Sequence, residues 1–191
     1  MSDDQSNSQD WQAWWDARKA ALESLLGEAD DNILTSMMPI YMGGKSDVMI
    51  FRNFVQGLTY VTAGLTGYSS QKENQLGQYE LMMCTREEDE NVSSLLSDLS
   101  NYTLENPINP YDSIDLGPEQ PEGITIRALL AQQPDAASKP FDLFGQRCGL
   151  LLLMGITSEE LEAFRNGEEV RVLEALSAIS PYTDMGRASV I

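Results

Sequence analysis

Residues 141–161 read FDLFGQRCGLLLLMGITSEEL. The stretch divides into an approach loop, one buried strand and an abrupt helix start. Leu150, Leu151, Leu152 and Leu153 stand in a row, with Met154 and Gly155 behind them. An unbroken apolar run of this length suits a strand covered on both faces rather than an amphipathic edge strand. Gly155 is expected to let the chain turn. Thr157 then offers its hydroxyl to the free amides of a new helix, and Glu160, three residues on, can reach back to the cap's own amide. Thr157-x-x-Glu160 is therefore a capping box. The stretch predicts a central strand feeding a helix, and it holds no evident nucleophile, base or metal set. It points to packing and recognition before catalysis.

Working outward, the chain has 191 residues and a hydrophobic fraction of 42%, which suits one globular domain with a sizeable core. No apolar run approaches the roughly 20 residues of a membrane helix, so no membrane partner is expected. The first ten residues are acidic and polar, the reverse of a secretion signal, so a cytoplasmic location is expected. Cys84 and Cys148 lie in apolar, strand-like segments and read as buried free thiols in a reducing compartment. The chain contains no histidine. That removes Ser/His and Cys/His triads, histidine-ligated zinc and the usual base near neutral pH, and no cofactor is expected. Thirty acidic residues against 12 basic give a net charge of −18. Binding to a phosphate backbone needs the opposite sign, so no nucleic-acid partner is expected. The acidity reads as a solubility device or as complementarity to a basic protein.

Along the chain, residues 1–10 read as a disordered tail and residues 11–191 as a single domain. Trp11, Trp15, Arg18, Leu22 and Leu25 or Leu26 recur at helical spacing over 11–26, with Gly27 as a stop. Strands are expected at 47–54, 58–62, 79–85 and 124–130, separated by turns at 39–45 and 63–68. The link from the last of these to the 141–161 stretch is placed at 134–139. Glu80, inside a strand, either faces solvent or is a buried carboxylate that must be paired, and the solvated or edge position is the expected one. The acidic run 86–90 enters a helix whose apolar face is Val92, Leu95, Leu96, Leu99 and Tyr102. Residues 105–123 form a long loop with four prolines, Pro107, Pro110, Pro118 and Pro121, and room for a short strand at 113–116. Helices follow at 158–165 and 168–179, the second facing inward through Val170, Leu173, Leu176 and Ile179. Residues 182–191 read as a short polar tail. The whole is a single α/β (α+β) domain, a mixed central β-sheet flanked by helices.

The order of these segments resembles the suppressor-of-fused family. The matching pieces are VTAGLT at 61–66, YELMMCTR at 79–86, LLSDLSNY at 95–102, FDLFG at 141–145 and LLLLMGITSEEL at 150–161, and the resemblance spans roughly residues 45–185. Two departures stand out. NPYDSIDL at 109–116 lacks the plain Gly-Asp element, and the helix near Asn91 lacks a tryptophan. The resemblance implies a mixed α/β domain that binds other proteins and has no chemistry of its own. Bacterial relatives include immunity proteins that neutralise toxins. Animal members carry a further C-terminal region that binds a transcription factor, which this chain is too short to include, so that function does not carry over.

Three functions are set against one another. The first is a protein-binding module, most concretely an immunity protein that occludes a basic toxin domain. Its contact residues are expected to be Glu87, Glu88, Asp89 and Glu90 in the acidic run, and Tyr111, Asp112 and Asp115 in the proline-rich loop. The second is a carboxylate- or metal-dependent hydrolase, with a magnesium site around Asp112 and Asp115. The third is a scaffold that self-associates through Trp11, Trp14 and Trp15.

Overall fold

The β-branched and aromatic strands of the first half meet the leucine-rich strand of the second half in one sheet. A computed structural model describes residues 3–67, 71–118, 120–134, 137 and 139–191. The strands are β1 (Val48–Phe51), β2 (Leu58–Thr62), β3 (Gln78–Thr85), β4 (Ser113–Asp115), β5 (Ile126–Gln132), β6 (Phe141–Leu143) and β7 (Gln146–Thr157). They form a seven-stranded mixed sheet in the order β1-β2-β3-β7-β5-β4, with β6 paired to β7 off that path. β7 is central. It runs parallel to β3, with Gln78 opposite Cys148 and Met82 opposite Leu152, and antiparallel to β5. Flanked on both edges and covered on both faces, it needs no polar side, which is why ten consecutive residues from Cys148 to Thr157 are buried.

Side-chain alternation sorts the core into two layers. Val48, Ile50, Tyr60, Tyr79, Leu81, Leu129, Leu151 and Leu153 face α2 (Glu90–Glu105), which contributes Val92, Leu96 and Leu99. Met49, Phe51, Val61, Met82, Cys84, Leu130, Leu150, Leu152 and Ile156 face the other way. There they meet Leu22 and Leu26 of α1 (Asp3–Leu26), Leu161 of α3 (Ser158–Arg165), and Val172 and Leu176 of α4 (Glu169–Ser177). Among the described residues, the sheet carries one α-helix on one face and three on the other. Each fully buried leucine of β7 contributes about 2 kcal/mol.

The capping box forms as expected. Glu160 N–H donates to Thr157 Oγ1 at 3.4 Å, and Thr157 N–H donates to Glu160 Oε2 at 2.9 Å. Both cysteines are free and buried. Several expectations are corrected. Gly155 does not turn the chain; it sits inside β7, where a Cβ would come within 2.8 Å of Thr183 Cγ2 and 2.9 Å of Ile126 Cγ1. Close packing, not conformational freedom, explains it. The approach loop is a hairpin, because 141–143 pair with 146–148. α1 begins at Asp3 rather than at Trp11 and takes in residues read as a disordered tail. Val170 is exposed, and α4 turns Val172 inward instead. Tyr102, at the end of α2's apolar face, is also exposed. The expected turn at 63–68 and link at 134–139 lie partly outside the described residues.

Glu80 is the largest correction. It is 0% exposed, because β3 is an inner strand and α1 covers its face. Arg18, in the apolar stripe of α1, places Nε 3.3 Å from Glu80 Oε1. The carboxylate also accepts from Thr62 Oγ1 at 2.6 Å, Leu65 N at 3.0 Å, Thr66 N at 2.8 Å and Thr66 Oγ1 at 2.7 Å. Arg18 Nη1 donates to the Ala63 carbonyl at 2.8 Å. Burial pushes the Glu80 carboxyl upward, and Arg18 and the threonine donors pull it only partly back. A buried charge of this kind requires both its ion partner and its hydrogen bonds.

Candidate interaction cleft

The acidic run leaves the C-terminal end of β3 and enters α2. Asp89 is the N-cap, its Oδ1 accepting from Asn91 N–H at 2.9 Å, and Glu90 lies in the first helical turn. The Asp89 amide is fixed by the sheet below, donating to Tyr60 Oη at 3.1 Å. Thr85, Arg86, Glu87, Glu88 and Asp89 thus form one wall of a surface cleft of about 510 Å³.

The other wall is Ile179, Tyr182, Thr183, Asp184 and Arg187. This is the segment read as a polar tail, and it is instead bound across the sheet end. Thr183 N–H donates to the Cys84 carbonyl at 2.7 Å, and Thr183 Oγ1 accepts from Gly155 N–H at 2.9 Å. Arg187 grips Glu160 with both ends of its guanidinium, Nη1 to Oε1 and Nη2 to Oε2 at 2.6 Å each. Nη2 also donates to the Gly155 carbonyl at 2.7 Å, and Val190 N–H donates to Glu160 Oε1 at 2.8 Å. Burial raises the Glu160 carboxyl, but Arg187 and the amide donors outweigh it and hold the carboxyl below its usual range. Glu160 therefore both caps α3 and anchors the C-terminal strap. Across the cleft, the Arg86 guanidinium lies 4.2 Å from the centroid of the Tyr182 ring, a cation–π contact joining the walls.

Glu87, Glu88, Asp89 and Asp184 take part in no ion pair among the described residues. Asp115 contrasts with them. Its carboxylate accepts from Gly117 N–H at 2.9 Å, meets Arg127 Nη1 at 2.7 Å and Arg165 Nη2 at 3.2 Å, and is held below the usual range first by the Gly117 amide and then by Arg127. Beside it, Arg127, Ser158, Leu161, Glu162, Arg165 and Asn166 line a second cleft of about 340 Å³. Asp112 is bound locally, accepting from Asn109 N–H at 2.7 Å. Tyr111 is 62% exposed and adopts φ 74°, while its N–H donates to the Ala131 carbonyl at 2.7 Å.

The expected contact residues do not form one site. β7 and β5 lie between β3 and β4, which at about 4.8 Å per strand separates the acidic run from Asp115 by about 14 Å. Asp112 and Asp115 build no shared magnesium site, and no group of three or more His, Cys, Asp or Glu among the described residues could hold a metal ion. The strap was missed because nothing in 182–191 is periodic; what binds it is a carboxylate of α3 and a carbonyl of β3. No helix among the described residues is long and apolar enough to cross a membrane.

These elements define a mixed α/β domain with a charged surface cleft at the end of its two central parallel strands. The sequence profile of the family described as Suppressor of fused protein (SUFU) matches residues 45–188. The chain belongs to that family. Among solved structures, it is similar to a suppressor of fused homolog from Neisseria gonorrhoeae FA 1090, with a TM-score of 0.67 and 18% identity, covering 94% of this chain and 98% of that one. The structure described as the Sufu-Fu complex matches with a TM-score of 0.71 and 15% identity, over 92% of this chain and 91% of that one. Drosophila Suppressor of Fused matches at 0.64 and 16% identity over 94% of this chain, which spans 51% of its length. No curated protein sequence matches the chain. The α1 helix, with Arg18, lies before the matched region.

Proposed function

We propose that this chain is a non-enzymatic protein-binding module and that its partner is a basic protein, most concretely a toxin domain for which it serves as the immunity protein in a cytoplasm. The observation that carries the reading is a family fold that presents carboxylates without counter-ions. Glu87, Glu88, Asp89 and Asp184 surround one cleft in a chain of net charge −18. Family membership supports a binding role, and one similar structure is that of a Sufu-Fu complex. Negative potential of this kind speeds encounter with a cationic surface and rejects acidic ones. Tyr111 and Asp112, on a separate face, are a secondary contact region, whereas Asp115 is already occupied by Arg127 and Arg165.

The test is capture of partners on the tagged chain from its native lysate at low and at moderate salt, with mass spectrometry. A single stoichiometric basic protein, weakened as salt rises, followed by protection of cells when the two are co-expressed, is the expected result. No stoichiometric protein at either salt overturns the reading.

A further inference from the structure

We propose that the surface loop 36–45 is a reversible oxidation site: its exposed methionines, Met37, Met38 and Met42, take an oxygen atom from a peroxide to become sulfoxides, which turns an apolar surface polar and leaves the fold intact. The first observation is where the methionines lie. Met37 is fully exposed, and Met42 and Met38 are 62% and 48% exposed. The other described methionines, Met49, Met82, Met83, Met154 and Met185, are all buried, at 6% exposure or less. Cys84 and Cys148 are buried free thiols that burial pushes upward in pKa, so the thiolate route of oxidation is closed in the native chain. Among the described residues, accessible sulfur is therefore gathered into the single stretch 37–42.

The second observation is how the loop is mounted. Leu34 and Val48 exchange backbone hydrogen bonds at 3.0 Å each where it leaves the sheet edge. Within it, the N–H groups of Met42 and Gly44 donate to the Pro39 carbonyl at 3.0 Å each, Gly43 N–H donates to the Ile40 carbonyl at 3.0 Å, and Lys45 N–H donates to the Met38 carbonyl at 3.1 Å. Ser36 N–H donates to Asp47 Oδ1 at 2.8 Å, and Ile40 is buried in the core layer that faces α2. None of these contacts uses a thioether, so oxidation leaves the frame untouched. Holding long apolar side chains in water on a fixed frame forgoes the stabilisation of burying them. Methionine is the apolar residue whose character can be reversed after folding. In that step a sulfur lone pair attacks one peroxide oxygen, and the S–O bond forms as the O–O bond breaks. The proton left on the new sulfoxide oxygen passes to the departing hydroxide, which leaves as water; sulfur is oxidised and the peroxide reduced. Exposure also admits the return reaction, in which a dithiol-dependent reductase removes the oxygen as water and is left with a disulfide.

The experiment treats the full chain with hydrogen peroxide and follows each sulfoxide over time by peptide mass spectrometry. Met37, Met38 and Met42 should be oxidised at least about tenfold faster than Met49, Met82, Met83, Met154 or Met185, which react when the core opens. The chain oxidised at 37–42 should keep the urea midpoint of the parent. Its retention on a hydrophobic-interaction column should fall, and methionine sulfoxide reductases A and B with a thiol reductant should restore it without unfolding the chain. Met37→Leu/Met38→Leu/Met42→Leu keeps the loop apolar without a thioether, and its retention should fall far less under the same treatment. Oxidation of the buried methionines at the same rate, a lowered urea midpoint, unchanged retention, an equal fall in the leucine variant, or no action of the reductases on the folded chain would each overturn the proposal.

Discussion

Replacing Arg18 with methionine tests the most consequential interaction in the fold. The change keeps an unbranched side chain on α1 but strips the counter-ion from Glu80, which is wholly buried on β3. Breaking a buried pair from one side costs about 3–5 kcal/mol. Glu80 retains donors from Thr62, Leu65 and Thr66, which offset part of that cost, while the Ala63 carbonyl loses its donor. The expected loss is therefore near the lower end, about 3 kcal/mol, a large share of the roughly 5–15 kcal/mol that hold a domain together. The pH dependence has a definite sign. Burial raises the folded-state pKa of Glu80, and without Arg18 it should rise further. A carboxyl raised on folding favours the native state at low pH, and that advantage disappears as pH climbs from the ordinary carboxylate range through the folded value. The variant should thus lose more stability at about pH 8 than at about pH 5. Urea unfolding followed by circular dichroism at both pH values, with Glu80→Gln and the double variant completing a cycle, measures the coupling. A loss below about 1 kcal/mol that does not change with pH would refute the buried-charge argument.

Three further outcomes are expected. Glu160→Gln should cost about 3 kcal/mol by leaving Arg187 buried against a neutral amide, and hydrogen exchange should show the strap amides of 183–190 opening first; because the Glu160 carboxyl is lowered on folding, its contribution is full above the ordinary carboxylate pKa and is lost as pH falls through the folded value, an acid transition that the variant should lack. Cys84 and Cys148, with thiols pushed up to about 11 and about 12, chiefly by burial, should resist iodoacetamide at about pH 8 and react only when denaturant opens the core; alkylation of the native chain at the rate of a free thiol would contradict their burial. Gly155→Ala should destabilise by about 1–3 kcal/mol through overlap with Thr183 and Ile126, visible as a lower urea midpoint, and a neutral result would mean the strap yields easily.

What the sequence discloses is mostly what neighbours in the chain decide. The β7–α3 boundary was legible because the four leucines, Thr157 and Glu160 act on one another within a few residues. β2 was legible for the same reason. Glu80 was misplaced because its burial depends on sheet order, which no local pattern carries. A clue was nevertheless present: Arg18 stands in the apolar stripe of α1, where a cation needs a reason to be. For the candidate site, the loop from Glu87 to Glu90 was visible as a charge run at a helix entrance. Its opposite wall was not, since Tyr182, Asp184 and Arg187 are positioned by Cys84, Gly155 and Glu160 from distant parts of the chain. Asp115 looked like a free acid for want of any sign that Arg127 and Arg165 would reach it.

The parallel pairing of β3 with β7 has a consequence for how the chain is made. During synthesis the meander of β1, β2 and β3 emerges first, and its inner strand β3 then waits for a partner that begins only at Gln146. At ribosomal rates that interval is on the order of several seconds. Throughout it, a strand of eight residues, all destined for the interior, presents a bare edge and an apolar face. Such an edge templates pairing with other nascent chains, so this small domain should depend on chaperones while it is born far more than its finished form would indicate.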